Sequence, residues 1–233
     1  MLEKEIVLSE NEVAEDMGFD GLKIVQDTTL YRFTSDSVLL SKFARAKKGD
    51  TVADFCSGCG IVAFHFYALN REKFADMPFT LFEMQPPLLA LAEKTAKLNG
   101  FANFAFECGK LQELGAEFNE KFSLVLCNPP YERGGFDNDD YHKAVCRKEI
   151  TINLAQIAKA SAKALKYGGR LALLHRADRL AEVCYTLRQV NIEVKRIQFV
   201  SGKKDAKPYL VMVEGVKGGK PSCEILPTVA NST

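Results

Sequence analysis

No run of about 18 apolar residues, the length a membrane-spanning helix needs, occurs in this chain, and no basic-then-apolar leader pattern opens it. The expectation is a soluble, cytoplasmic protein without membrane contact. Internal repeats, low-complexity tracts and interdomain linkers are also missing. Net charge is nearly absent: 31 basic against 30 acidic residues leave +1, which argues neither for nor against nucleic acid. Histidine is scarce, with three in the chain, and His142 and His175 stand isolated. There is no Gly-x-Ser-x-Gly nucleophile elbow and no Gly-Lys-Ser/Thr phosphate loop. Cys56-x-x-Cys59 is followed by His65, but a structural zinc site needs four ligands and no second pair follows at suitable spacing, so no metal is expected. The seven cysteines are odd in number and scattered among apolar runs, which fits reduced, buried thiols better than a disulfide framework.

What is present suffices for one core. With 233 residues, 47% of them hydrophobic, the chain can bury an ordinary single domain with a short appendage. Charge is distributed unevenly, with acids concentrated in residues 1–20 and bases in 195–220. Residues 22–33 alternate loosely around Gln26-Asp27-Thr28-Thr29 and suggest a short hairpin. Ser35 can cap a helix over 36–47. From Thr51 onward strands and helices alternate: strand 51–55, helix 61–70, strand 79–82, a helix from Pro86 to the Asn99-Gly100 stop, strand 104–107 and strand 122–127. A helix over about 143–166 and a strand over 170–175 follow. After a helix over 178–190, strands 193–200 and 208–216 are joined by a basic turn too short for a crossover, so they pair antiparallel. The pattern is that of an α/β, doubly wound, mostly parallel seven-stranded sheet ending in an antiparallel strand pair. Three segments are expected: 1–34, an N-terminal extension with a short hairpin; 35–217, the catalytic domain; and 218–233, a loose C-terminal tail.

Two stretches carry chemistry. Asp54-Phe-Cys-Ser-Gly58-Cys-Gly60 lies between a strand and a helix, where glycines let backbone approach a ligand and the helix start offers free amides. Glu83 ends the next strand, where a carboxylate can bind both hydroxyls of a ribose. Together they imply an adenosine-containing cofactor. The second stretch is Cys127-Asn128-Pro129-Pro130-Tyr131, the end of a buried strand. Each proline restricts its predecessor to extended backbone, so the Asn128 amide is held in one direction beside backbone carbonyls that have no helical partner. Tyr131 adds a planar face. This set suits a flat substrate bearing an NH2 group, whose hydrogens the carbonyl oxygens accept while the ring stacks.

These two stretches resemble the S-adenosylmethionine-dependent amino-methyltransferases of the Rossmann-like class I type. Gln26, the run from Tyr31 through Asp36 to Leu40, Asn128 to Tyr131, Arg147-Lys-Glu149 and Gly168-Gly-Arg-Leu171 resemble more narrowly the bacterial family that methylates N(6) of the adenine next to the anticodon of valine tRNA. The resemblance runs from about residue 20 to 217. It implies S-adenosylmethionine as cofactor, held by Phe33, Asp36, Asp54, Cys56, Gly58, Gly60, Glu83 and Asn128. Asn128, Pro129 and Tyr131 would serve catalysis by holding the amine and stacking on the base. tRNA is the implied partner, and Arg32, Arg133, Lys203, Lys204 and Lys207 are the candidate contacts to its phosphates. Glutamine methylation of release factors and guanine N(2) methylation of ribosomal RNA are the alternatives, with a non-catalytic RNA- or nucleotide-binding module behind them. The chain departs from the family pattern at Cys56, where a glycine is usual and positive φ would cost about 1–2 kcal/mol, so a different loop conformer is expected there. Lys110 stands where a carboxylate often meets the cofactor adenine, and Glu132 replaces an apolar residue after Tyr131.

Overall fold

The computed structural model describes residues 6–19, 21–30, 32–131, 149 and 151–231. Tyr31, the loop 132–140 with Glu132 and Arg133, His142, Arg147 and Lys148 lie outside the described residues. The chain begins with an antiparallel hairpin, β1 (Glu12–Asp16) and β2 (Lys23–Asp27), followed by α1 (Ser35–Phe43). Then come β3 (Val52–Phe55), α2 (Ile61–Asn70), β4 (Phe79–Glu83), α3 (Pro86–Leu98), β5 (Phe104–Cys108) and β6 (Phe122–Cys127). The second half comprises α4 (Leu154–Ala164), β7 (Leu165–Arg176), α5 (Leu180–Gln189), β8 (Ile192–Ser201), β9 (Pro208–Lys217) and β10 (Glu224–Ala230).

β3 to β10 form one sheet of order β10-β8-β9-β7-β6-β3-β4-β5. From β3 the sheet grows through β4 to β5 on one side and through β6 to β7 on the other, all parallel. The strand order therefore reverses between β3 and β6, the place where open α/β sheets form a crevice at their carboxyl ends. Alternation along the central strands feeds two cores. Leu124 and Leu126 of β6 face the helices α1, α2 and α3, whereas Val125 and Cys127 face α4 and α5. In α2 every residue from Ile61 to Ala68 is buried, and Phe79 and Phe104 stack beneath it with ring centres 4.6 Å apart. Among the described residues no helix is long and apolar enough to cross a membrane.

Four expectations change. The hairpin turns earlier, at residues 17–22, because Gly18 and Gly21 take positive φ there; Asp27-Thr28-Thr29 is the turn that leaves it, closed by the Asp27 carboxylate. α1 stops at Phe43, since Ala44 is extended. Of the helix expected over about 143–166, residues 143–148 and 150 lie outside the described residues; α4 begins behind Asn153, which forms a reciprocal capping box with Gln156, and Leu165 to Gly169 belong to β7. Finally, the segment after 217 is not wholly loose: β10 pairs parallel with β8, interrupted by a register shift between Leu226 and Val229 that accommodates Pro227. Among the described residues the sheet thus has eight strands rather than seven. The antiparallel pairing of β8 with β9 is as expected.

Candidate active site

A cavity of ≈ 340 Å³ opens where the carboxyl ends of β3, β4, β5 and β6 meet, within the usual range of about 300–1,000 Å³ for small-molecule sites. Its floor begins at the glycine loop. Cys56 takes φ +57°, so the chain keeps the left-handed turn with a side chain in it, and the expectation of a different conformer is corrected. The Cys56 side chain packs against the core beside α4 and lines the cavity. Ser57 N–H donates to the Phe82 carbonyl at 3.1 Å, and Gly60 N–H donates to the Ser57 carbonyl at 2.8 Å, which ties the turn to β4.

The two loop glycines do different jobs. At Gly58 (φ +56°) a Cβ would meet nothing within 4 Å, so this glycine leaves open space on the cavity wall. At Gly60 (φ +85°) a Cβ would come within 2.5 Å of the Phe64 ring and 2.8 Å of Leu81. Gly60 is required for helix-on-strand packing and does not itself line the cavity. Asp54 is likewise behind the wall. It is 1% exposed, and its Oδ2 accepts from the Ala63 N–H at 3.1 Å at the start of α2. Its Oδ1 has no partner. Burial, with the Glu83 charge adding to it, pushes the Asp54 carboxyl up to about 8.

Glu83 lies on the wall at the end of β4. Its two oxygens accept from the backbone N–H groups of Gly58 and Gln85, each at 2.9 Å. Burial raises its pKa, while those donors pull it back. Each oxygen retains a lone pair, so a vicinal diol can still donate to both. An open wall at Gly58, a fixed carboxylate at Glu83 and the amides opening α2 fit an adenosine-bearing cofactor. Lys110 also lines the cavity, its ammonium 3.9 Å from Glu113 on the exposed side.

The opposite wall is the end of β6. Pro129 and Pro130 are buried, and Asn128 Nδ2 donates to Ser37 Oγ at 2.9 Å. Asn128 Oδ1 is buried and has no partner. An amide oxygen left so is costly, by about 1–3 kcal/mol, and marks a place for a donor from elsewhere. Tyr131 lines the cavity with its ring 6.0 Å from that of His175. His175 is not set up as a base: burial and the nearby Arg179 charge bring its pKa down to about 4, and its Nδ1 accepts from Arg176 N–H.

The N-terminal segment closes the third side with Arg32, Phe33, Asp36 and Ser37. Buried Gln26 fixes this wall. Its Oε1 accepts from Phe33 N–H at 3.2 Å, and its Nε2 donates to Glu15, which also takes the Arg32 guanidinium. Asp36 Oδ1 accepts from the Tyr209 hydroxyl at 2.8 Å and from Asn231 Nδ2 at 2.9 Å. Ser201 pairs with Pro208, and Leu210 with Arg176 at the carboxyl end of β7. The turn bearing Lys203, Lys204 and Lys207 is therefore at the cavity end of the sheet, though the three exposed lysines are not on the cavity wall. Arg133 is outside the described residues. Cys59 and His65 are buried, with His65 Nδ1 2.7 Å from Ser41 Oγ, and among the described residues no three His, Cys, Asp or Glu side chains cluster as metal ligands.

Sequence reasoning missed Ser37, Met84, Gln85, Leu111, Gln112, Thr151 and Ile152, all on the wall. Ser37 sits inside the run that carried the family resemblance. Met84 and Gln85 directly follow Glu83, and Leu111 and Gln112 follow the end of β5, so position relative to a strand end was the available signal.

A doubly wound sheet with a cavity at its switch point, lined by a glycine loop and a strand-end carboxylate, defines an α/β protein of the class I methyltransferase architecture. Residues 46–214 match the family model described as a methyltransferase domain, and the chain belongs to that family. Among curated relatives, the tRNA1(Val) (adenine(37)-N6)-methyltransferase of Porphyromonas gingivalis is 24% identical over 71% of this chain and 66% of its own length. The chain thus spans just under two thirds of that relative. The enzyme of the same name from Parabacteroides distasonis is 22% identical over 84% of this chain and 81% of its own. Among solved structures, a "predicted O-methyltransferase" from Agrobacterium tumefaciens superposes with TM-score 0.66 at 16% identity, covering 84% of this chain and 86% of the other. P. horikoshii TYW2 in complex with MeSAdo gives TM-score 0.63 at 11% identity, over 91% and 73%.

Proposed function

We propose that this protein transfers a methyl group from S-adenosylmethionine to the exocyclic N(6) amine of an adenine in tRNA, in the cytoplasm. The observation that carries the reading is the partnerless Asn128 Oδ1 on a cavity wall shared with Glu83. Similarity to the two tRNA adenine methyltransferases supports the substrate class.

Glu83 would accept from the ribose hydroxyls, and the wall from Phe33 to Asp36, with Cys56 and Gly58, would enclose the rest of the cofactor. Asp54 and Gly60 act on it indirectly by holding the loop and the start of α2. When bound, S-adenosylmethionine supplies an electrophilic methyl group on a sulfonium. The protein's own part is to make a poor nucleophile competent. An adenine amine delocalises its lone pair into the ring. Asn128 Oδ1 and the Pro129 carbonyl accept its two hydrogens, which orients the lone pair and raises its density, while Tyr131 stacks on the base. Positioning of this kind contributes up to about 7–11 kcal/mol in well-oriented systems. No strong base is required, consistent with a buried, low-pKa His175 nearby. Lys203, Lys204, Lys207 and Arg32 would meet phosphates, making binding strongly salt-dependent.

The test is transfer of label from methyl-labelled cofactor to unmodified total tRNA, followed by nucleoside mass spectrometry. Label in N(6)-methyladenosine is expected. Label confined to protein would overturn the reading in favour of glutamine methylation.

A further inference from the structure

We propose that the C-terminal strand completes the cofactor wall, with Asn231 and Tyr209 as positioning residues that hold the Asp36 carboxylate in place at the start of α1. The inference rests on the cavity being the S-adenosylmethionine site. Asp36 lines that cavity, yet its own segment holds it weakly. Thr34 stands at the helix start without forming a side-chain cap, so the first turn of α1 lacks the local anchor that such a residue usually gives. The contact of the Asp36 carboxylate within this segment, from the Thr34 hydroxyl, is long at 3.4 Å. Its short contacts come from residues 173 and 195 positions away.

The polarity of these contacts is settled by the carboxylate, which accepts and never donates when ionised. The Tyr209 hydroxyl therefore commits its hydrogen to Asp36 Oδ1, at 2.8 Å, and its oxygen is left to accept from Asn231. Asn231 Nδ2 lies 2.9 Å from Asp36 Oδ1, from the Tyr209 hydroxyl and from Ser35 Oγ, and its two hydrogens can serve two of the three at once. Turned over, the amide would set its oxygen against the carboxylate, so the charge also fixes which end of Asn231 faces α1. Both side chains are seated on the sheet. Tyr209 is the second residue of β9, and Asn231 N–H donates to the Ser201 carbonyl at 2.8 Å, directly after Ala230 pairs with Ser201 of β8. Gln198 of β8 adds a separate tie to this strand by donating to the Pro227 carbonyl at 3.0 Å. The last described strand thus carries a donor to a cavity wall built near the beginning of the chain. A segment that reads as a loose tail becomes part of the site, and the wall at Asp36 is complete only with β10 docked.

The experiment measures S-adenosylmethionine affinity by calorimetry at neutral pH, and amide hydrogen exchange over residues 33–40 of the cofactor-free protein. Asn231→Leu, close in volume but without a donor, is expected to weaken cofactor binding about fivefold and to speed exchange over 33–40 by a similar factor. Isosteric Asn231→Asp sets a second carboxylate against the first and should weaken binding about tenfold or more. In an Asp36→Asn background no carboxylate faces position 231, so Asn231→Asp should cost less than about twofold. Gln198→Ala removes the other tie to β10 without touching Asp36, and its cofactor Kd should stay within about twofold of wild type. A loss in Gln198→Ala as large as that in Asn231→Leu would mean that β10 acts through general stability, and would overturn the inference. Equal cost of Asn231→Asp in both backgrounds would overturn it as well. Wild-type binding with unchanged affinity and exchange in Asn231→Leu would sink it alone. No cofactor binding by the wild-type chain would sink the functional reading and this inference together.

Discussion

The two halves of the cavity differ in how their principal acceptor is held. On the Glu83 side both carboxylate oxygens hold backbone N–H groups and the glycine loop is pinned to β4, although Asp54 Oδ1 and Ser57 Oγ beside it have no partner. On the Asn128 side one strong acceptor is left with nothing to accept. Under the proposed function, the hydrogen-bonded Glu83 side suits a cofactor that enters many times in one orientation. The second half would complete its hydrogen bonds when the substrate amine arrives. Substrate recognition and activation would then be the same event.

That contrast can be broken variant by variant. The largest effect belongs to Asn128→Ala, which should lower transfer at saturating cofactor by about 10²–10³-fold, in line with loss of one preorganised polar contact at a reacting centre; single-turnover kinetics measures it. Glu83→Ala should act on the other half and weaken S-adenosylmethionine binding about 10–100-fold by calorimetry, leaving the Asn128 tip unchanged. Gly60→Ala should cost about 2–4 kcal/mol, from positive φ and from contact with Phe64 and Leu81, seen as a melting temperature lowered by roughly 5–15 °C.

Asp54 gives a pH signature. Its folded pKa is raised from 3.8 to about 8, so the folded state holds a proton that the unfolded state releases. Its contribution is intact at low pH and declines as pH rises from the unfolded pKa through the folded one. Asp54→Asn should flatten that part of the stability–pH curve in chemical denaturation, with Glu83 the charged neighbour still titrating. The smallest effect is expected of Cys56→Gly, which relieves a positive φ at the expense of some packing and should raise stability by no more than about 1 kcal/mol.

Much of this was legible beforehand because the relevant signals are local. Strand 122–127, helix 61–70 and the acid ending β4 follow from apolar runs, turn residues and spacing. The Asn-Pro-Pro-Tyr run announces a rigid tip on its own. What escaped is what depends on distant partners. β1 reads Glu-Val-Ala-Glu-Asp, so charges masked its pairing with β2. β10 carries Pro227 and is mostly exposed, and it is a strand by virtue of the β8 edge beside it. The sequence could place Asp54 and Gly60 in a cofactor loop but not behind its wall, since only three-dimensional packing shows which side of the turn they face. Ser37 was invisible for the same reason, as its partner lies 91 residues away.

The separation of the two halves is tested most directly by titrating S-adenosylmethionine into Asn128→Ala. The account predicts a Kd within about threefold of wild type, because it assigns this side chain to the amine and not to the cofactor, which the family resemblance also implies it would hold. An affinity loss of about tenfold or more, matching the loss of transfer, would contradict it.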